Sequence, residues 1–323
     1  MNHMMKNNLF YYGTSELSQD AFICYLVSHA MLEFSNQDIA LTQCAKDLLA
    51  LMLPDQTQDE LIVANIMRQY KNIDILITLN TGTYIVVEDK TFSSQHSDQI
   101  NRYAEIVRTD FGKEPICVYY KIVEQDWPEP NVINIGRNDL LPIFQMCQSE
   151  NQIFRNYLEY LEYIDNDANA YIVDKEITGW RNKYNHVYRG FFKHLATDVI
   201  AIKDYGWGYV NNAAGGFWGM WWGWLSAKEM EASGLLNSID EIYLQIEDNK
   251  IAVKITNRSG KSGASDTRWK LYNYFCNKVS SFNKGYFRKG NTMTVGYVYY
   301  SMDDYREKIT MMEQTIGELT KAI

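Results

Sequence analysis

Residues 73–90 have the sequence IDILITLNTGTYIVVEDK. Two apolar runs rich in β-branched side chains flank Asn80-Thr81-Gly82, a combination typical of two strands joined by a tight turn. In a three-residue loop, Gly82 takes the left-handed position that such loops commonly need, and Leu79 pairs with Thr83. The stretch therefore predicts a β-hairpin.

The hairpin brings charged side chains together. In the three-residue register Asp74 lies opposite Glu88, and the alternation of side chains puts Lys90 on the same face as Glu88. Directly opposed β-carbons are about 4.5–5.5 Å apart, so the two carboxylates repel unless positive charge lies between them. A hard divalent cation meets that need, and so does the Lys90 ammonium. A two-residue loop would instead bring Asp74 opposite Asp89, and solvated strand ends are a third arrangement.

The segments around the hairpin predict the order helix, three strands, helix, strand. Ser15 is the expected N-cap of the first helix, because acidic and amide side chains follow it and apolar residues recur at helical spacing. Gly112 is expected to end the helix after the hairpin. Further predicted helices cover about 38–53 and 95–111, and the other strands are an extended stretch ending near Tyr70 and residues 116–120.

The composition changes after the polar stretch 165–170, which indicates a domain boundary and predicts domains 1–165 and 166–323. Helices are expected over 137–163, 174–203, 267–280 and 303–322, with a hairpin over 241–256 and a strand over 292–300. The second domain is therefore expected to be α+β. The run GGFWGMWWGW at 215–224 fits a core or an interdomain seam better than a surface that stacks on unpaired bases.

The charged set resembles a known signature. Asp74, thirteen further residues and then Glu88-Asp89-Lys90 are similar to the motif of the PD-(D/E)XK nuclease superfamily, with Ile73 in place of the proline. Gln99 and Tyr103 match the QxxxY element of RecB-like and lambda-exonuclease-like members, and their spacing puts them on one side of a helix. The stretches GTSELSQDAF and VVEDKTFSSQHSDQINRY resemble a bacterial subfamily.

The resemblance implies an α/β fold: a restriction-endonuclease-like αβββαβ core, matched by residues 14–122, in which helices flank a mixed sheet. It implies a metal-dependent nuclease that hydrolyses phosphodiester bonds, with DNA as the first expected substrate. A catalytically inactive nucleic-acid-binding or protein-interaction module with the same fold is the alternative. The substrate, the cleavage mode and the pathway do not follow from the fold.

The resemblance also implies roles for individual residues. Asp74 and Glu88 would hold Mg²⁺, for which Mn²⁺ can substitute, with the carbonyl of Asp89 as a further ligand. Lys90 would orient or deprotonate a water, or stabilise charge on phosphorus. The remaining candidates are Gln99 and Tyr103, which would position the phosphodiester or the metal ligands, and Glu16, which is either the acid of the first helix or a partner of its dipole.

Net charge and cysteine content limit the class of protein and the compartment that the sequence fits. The net charge of −9 at pH 7 disfavours a tight, non-specific DNA-coating protein, although a nuclease can concentrate basic residues locally. Five widely spaced cysteines without a CxxC pair argue against a disulfide framework or a structural zinc site. No signal peptide and no membrane span are recognised. A cytoplasmic protein is expected, and its oligomeric state is left open, a homodimer included.

Overall fold

The computed structural model describes residues 7–57, 60–91, 99–126, 130–182, 186–211, 215–286 and 290–319. The chain divides into two compact units, residues 1–166 and 167–323. No helix in the described ranges combines the length and the apolar character that crossing a bilayer requires.

The first unit contains a five-stranded mixed sheet with helices on both faces, as the resemblance implied. The strands lie in the order in which they occur in the chain; the first three run antiparallel, and β3, β4 and β5 run parallel. Its elements are α1 (Leu9–Tyr12), α2 (Glu16–Ser28), α3 (Ile39–Met52), β1 (Val63–Tyr70), β2 (Ile73–Leu79), β3 (Tyr84–Lys90), α4 (Gln99–Phe111), β4 (Ile116–Lys121), β5 (Ile133–Gly136), α5 (Arg137–Met146) and α6 (Gln152–Ala168).

The register of the β2–β3 hairpin is the one predicted from the three-residue loop. The ladder runs from Thr78 opposite Tyr84 to Ile75 opposite Val87. The Leu79 amide donates to the Thr83 carbonyl at 2.9 Å, and Gly82 has φ +80°. One step further along this register, Asp74 lies opposite Glu88. The two-residue loop is therefore excluded.

The two faces of this sheet pack against different helices. Ile75, Ile77 and Val87 point into the large core formed with helices α2, α3, α5 and α6. Leu76 and Val86, at the alternate positions, pack in a smaller cluster that includes Tyr103 and Val107 of α4. Because Asp74, Glu88 and Lys90 share the parity of Leu76 and Val86, they lie on the α4 face.

Three details of the first unit differ from the sequence-based expectation. Residues 137–163 are two helices, because Asn151 Oδ1 accepts hydrogen bonds from Ile153 N at 3.0 Å and Phe154 N at 3.2 Å and begins a new helix. The short strand β5 was not predicted. Ser15 occupies the N-cap position of α2, but its hydroxyl contacts Ser18 Oγ at 3.2 Å rather than a main-chain amide.

Positions 95–98 of the helix predicted at 95–111 lie outside the described residues.

The second unit contains a six-stranded antiparallel sheet in the order β10-β11-β9-β8-β7-β6. The helices of this unit contribute to the buried cluster on one face of the sheet, through Phe191, Phe275 and Ile309. Its elements are α7 (His186–Asp198), β6 (Tyr205–Val210), β7 (Phe217–Trp222), α8 (Ala227–Ala232), β8 (Glu241–Glu247), β9 (Lys250–Thr256), α9 (Ala264–Lys278), β10 (Asn283–Lys284), β11 (Thr292–Tyr299) and α10 (Tyr305–Gly317).

The hairpin predicted around Asp248-Asn249 is present, and so are the helix, the strand and the final helix that follow. The helix predicted over 174–203 is instead a 3-10 helix, Ile177–Asn182, followed by α7. The strand β6 was not predicted, because glycines interrupt its apolar pattern. The tryptophan-rich run forms β7, with Trp218 and Trp222 buried in the core of this unit.

The Gly82→Ala substitution is expected to lower the free energy of unfolding of the first unit by about 1–2 kcal/mol. A β-carbon meets no neighbouring atom at this position, so the cost comes from the left-handed backbone alone. Urea denaturation measures it. Gly82→Asn, which tolerates that conformation better, is the control, and an equal loss in both variants would contradict this account.

Candidate active site

Asp74, Glu88 and Lys90 meet at one end of the β2–β3 hairpin. Lys90 Nζ lies 2.5 Å from Glu88 Oε1 and 3.7 Å from Asp74 Oδ2. Glu88 is fully buried and Lys90 is nearly so, whereas the Asp74 side chain keeps some exposure. Two carboxylates and an ammonium thus form a compact group on the α4 face of the sheet.

The first turn of α2 adds a third acid to this group. Glu16 Oε2 lies 3.9 Å from Lys90 Nζ, and Glu16 Oε1 accepts a hydrogen bond of 3.4 Å from the Thr91 amide. The latter contact ties the start of α2 to the end of β3. Glu16 therefore lies at the site, and it also lies in the first turn of α2, where the helix dipole favours an acid.

Gln99 and Tyr103 lie on α4, the helix that packs on this face. Gln99 Nε2 donates to the Tyr103 hydroxyl at 2.6 Å. Burial raises the pKa of Tyr103, the hydrogen bond from Gln99 lowers it, and the nearby carboxylates of Glu88 and Asp74 add to the rise. The hydroxyl is consequently protonated at neutral pH and remains a hydrogen-bond donor beside the acids.

Asp89 turns its side chain to the opposite face. Its main-chain carbonyl accepts a hydrogen bond of 3.0 Å from Lys90 Nζ, and its amide donates to Asp74 Oδ2 at 3.1 Å. The carboxyl group, by contrast, is fully buried and accepts a hydrogen bond from the Gln19 side chain. Only the main chain of Asp89 therefore faces the site.

Charge balance explains the protonation states at the centre of the site. Burial raises the pKa of Glu88 to about 7; the hydrogen bond from Lys90 opposes that rise, and the charge of Asp74 adds to it. Burial by itself would lower the pKa of Lys90, but Glu88, Asp74 and Glu16 outweigh it and the pKa is raised. Lys90 is therefore an ammonium that balances the surrounding carboxylates.

A buried polar network behind the strand β3 was missed by the sequence reading. Gln19 Oε1 accepts a hydrogen bond of 3.1 Å from Tyr157, whose hydroxyl lies 3.2 Å from that of Tyr120. Asp20 lies beside Asp89, and burial raises the pKa of Asp20 to about 6, helped by Asp74 and opposed by Asp89 and Arg68. Glu16, Gln19 and Asp20 follow at helical spacing, a signal that could have identified this face of α2.

A second lysine lies next to Lys90 and was also missed. Lys121 ends β4 and pairs with Lys90 in the parallel ladder, so both side chains point to the same face. Its ammonium donates to the Thr91 carbonyl at 3.3 Å, and the side chain is nearly buried. Because adjacent parallel strands end at the same edge of a sheet, the position of Lys121 after a buried strand could have indicated this neighbour.

Comparison with known protein families gives a match to part of the first unit. Residues 23–130 match the sequence model described as the PD-(D/E)XK nuclease superfamily. This segment is similar to that superfamily. The matched range contains β1 to β4 and α4, and with them Asp74, Glu88 and Lys90. No curated protein and no solved structure gives a significant match to the chain.

The match to the PD-(D/E)XK superfamily supports a nuclease-type function in general, and such nucleases generally use divalent metals. The likeness to a bacterial subfamily stays a prediction. The match ends at residue 130 and therefore says nothing of the second unit.

The residues at the centre suit a divalent cation by their chemistry. Glu88 Oε2 is buried without a hydrogen-bond partner among the described residues, which leaves it available as a ligand. Asp74 and the carbonyl of Asp89 supply further hard oxygens beside it. Within the described ranges no three His, Cys, Asp or Glu side chains have metal-binding spacing, so the donor set relies on two carboxylates and this carbonyl.

The Asp20→Asn substitution tests the electrostatics behind β3. Because the pKa of Asp20 is raised from 3.8 to about 6, the folded protein holds its proton more tightly than the unfolded chain does. The stability from this group is present below pH 4 and is lost as the pH rises through 6. From pH 4 to 7 the variant should therefore gain up to about 3 kcal/mol of unfolding free energy relative to wild type.

Urea denaturation at a series of pH values measures this difference. The matched control is Asp110→Asn, since Asp110 is an aspartate of the same unit whose pKa is lowered by its hydrogen bonds with Lys71 and Tyr70. The control is expected to change in the opposite direction with pH. Parallel curves for Asp20→Asn and wild type would contradict the raised pKa.

Proposed function

We propose that the first unit is a metal-dependent phosphodiesterase that cleaves nucleic acid, with DNA as the expected substrate. The observation that carries the proposal is the convergence of Asp74, Glu88 and Glu16 on the ammonium of Lys90, with Glu88 fully buried. A buried carboxylate is costly unless it is compensated, and an acid whose pKa is strongly perturbed beside a specific charge partner is a candidate functional group.

Asp74, Glu88 and the carbonyl of Asp89 are the proposed ligands of Mg²⁺, with Mn²⁺ as a substitute. A bound divalent ion supplies a Lewis acid that polarises a phosphate oxygen and lowers the pKa of a coordinated water. The main-chain hydrogen bond from Asp89 N to Asp74 Oδ2 supports the proposal, because it holds one ligand against the backbone that provides another.

The other residues act on the substrate and on the ligands. Lys90, held as an ammonium, is placed to stabilise negative charge that develops on the phosphoryl oxygens. Tyr103 offers its hydroxyl hydrogen from the α4 side, and its bond with Gln99 fixes the direction of that hydroxyl. Glu16 limits the movement of Lys90 from the α2 side and, through Thr91, holds the end of β3 in place.

Lys90→Ala is expected to reduce the rate of phosphodiester cleavage at least about 100-fold, because one charged group that stabilises a transition state is typically worth that much. The assay follows fluorescently labelled DNA, single-stranded and duplex, with and without Mg²⁺ or Mn²⁺. Lys71→Ala is the matched control, since Lys71 is an exposed lysine of the same unit that pairs with Asp110. Equal cleavage by wild type and Lys90→Ala would overturn the assignment.

Asp74→Asn is expected to weaken the binding of Mn²⁺ at least about tenfold, because removing a charged oxygen ligand costs a divalent cation much of its attraction. Titration calorimetry with Mn²⁺ alone measures this without substrate. Asp110→Asn removes an exposed aspartate remote from Glu88 and should leave the affinity unchanged. Normal Mn²⁺ binding together with absent cleavage would favour the inactive binding module instead.

A further inference from the structure

The two units carry opposite net charge. Residues 1–166 contain 11 Lys and Arg against 23 Asp and Glu, a net charge of −12, whereas residues 167–323 contain 20 against 17, a net charge of +3. Phosphate backbones are bound chiefly through positive charge, so the first unit is poorly suited to attract a nucleic acid by itself. The second unit is the better candidate for that task.

Among the described residues, the hydrophobic cluster formed with the helices lies on one face of the second sheet only. Ile251, Val253 and Ile255 of β9 belong to the buried cluster formed with the helices. The alternate positions on this and the neighbouring strands point to the other face, and none of their side chains belongs to a hydrophobic cluster. The side chains of this second face that keep some exposure are the part of it that a partner can reach.

Aromatic side chains are concentrated on that face. We define the aromatic platform as five half-buried or exposed rings on β7, β8, β11 and the residues after β7. Trp224 stacks on Tyr243 with ring centroids 5.5 Å apart, and the ring of Tyr297 lies 5.2 Å from that of Tyr299. Its members are Trp221, Trp224, Tyr243, Tyr297 and Tyr299.

Trp221 lies flat on the sheet because its neighbour is a glycine. The cross-strand partner of Trp221 is Gly206, and a β-carbon there would lie 2.7 Å from Trp221 Nε1. A larger residue would force the indole off the sheet. Gly206, one of the glycines that interrupt the apolar pattern of β6, thus makes room for the indole of Trp221 on the platform.

Basic side chains accompany the rings. Lys250 Nζ lies 4.8 Å from the Tyr297 centroid and 5.7 Å from the Tyr299 centroid. Lys254, on the same strand and face, forms an ion pair with Glu247 and donates to Thr294 at 2.8 Å, so it neutralises an acid of this face. Glu241 also lies on this face and accepts a hydrogen bond from Thr256 at 3.0 Å. Lys250 lies beside two rings, and a cation next to an aromatic face is the combination that binds a base together with its phosphate.

We propose that the aromatic platform binds the unpaired bases of single-stranded nucleic acid. The choice of this partner rests on the proposed nuclease function of the first unit, and the binding itself rests on the rings, on Lys250 and on the positive charge of the second unit. Tyr243 and Tyr297 lie on β8 and β11, two strand spacings apart and offset by two residues along the strands, which is about 12 Å, so separate bases can stack on them. Every base has a stacking face, so little sequence preference is expected.

The experiment measures the fluorescence anisotropy of labelled 15-mer strands, oligo-dT and oligo-U, with the full chain in EDTA so that cleavage cannot interfere. Tyr299→Ala and Tyr297→Ala are each expected to weaken binding about tenfold, the typical effect of losing one stacked base. Tyr299→Phe keeps the ring and should keep the affinity. Comparison of the two strands shows whether the sugar is DNA or RNA.

The matched control is Tyr209→Ala. Tyr209 and Tyr299 are both 50% exposed and lie in the same sheet, but Tyr209 shares the face of Trp207. The Tyr209→Ala substitution should leave the affinity for the labelled strands unchanged. Lys250→Ala should reduce the slope of log affinity against log salt by about one, as loss of one phosphate contact does.

Three outcomes would overturn the platform: no binding of either strand, binding of duplex DNA alone, or equal losses in Tyr299→Ala and Tyr209→Ala. The cleavage assay with Lys90→Ala reads the proposed function separately. Binding that depends on Tyr299, together with an absence of cleavage, would support the aromatic platform and contradict the proposed nuclease function.

Discussion

Charge balance around Lys90 is the constraint on which the first unit depends. Glu88 is buried without exposure, and Asp74 and Glu16 approach the same ammonium from β2 and from α2. Removing a buried charge's partner typically costs several kcal/mol, since the remaining charge has neither water nor an opposite charge. The hairpin register and the start of α2 must therefore both be correct for the end of β3 to be stable.

The alternation of side chains along β3 gives its two faces different tasks. Glu88 and Lys90 face α4 and form the proposed catalytic centre, while the carboxyl group of Asp89 faces α2 and joins the network of Gln19 and Tyr157. Hydrogen bonds behind the strand thus hold the same backbone whose carbonyl is a proposed metal ligand. Partners of this outer kind commonly influence metal sites nearly as much as the ligands do.

The distribution of charge between the units resolves a difficulty that the whole chain presents. A net charge of −9 argues against a nucleic-acid partner, but the excess of acids lies entirely in residues 1–166. Acids there are consistent with a site built to hold divalent cations. In the proposed division of tasks, the second unit provides attraction and base stacking, and the first provides the chemistry.

The sequence alone indicated the hairpin and the charged residues it carries, because a turn glycine and period-two alternation are local properties of residues 73–90. It left a two-residue loop open, and the observed pairing of the strands excluded that loop. It also indicated Glu16, Gln99 and Tyr103, through resemblance and spacing. Tertiary structure decided what depends on distant neighbours: Gln19 and Asp20 behind β3, Lys121 beside Lys90, and the strand β6. The tryptophans could not be assigned to a face from the sequence either. In the structure β7 pairs with β6, Trp218 and Trp222 lie in the core, and Trp221 lies on the face of the aromatic platform. Local patterns carry periodicity and turn chemistry, but burial depends on which segments, far apart in the chain, come to lie against one another.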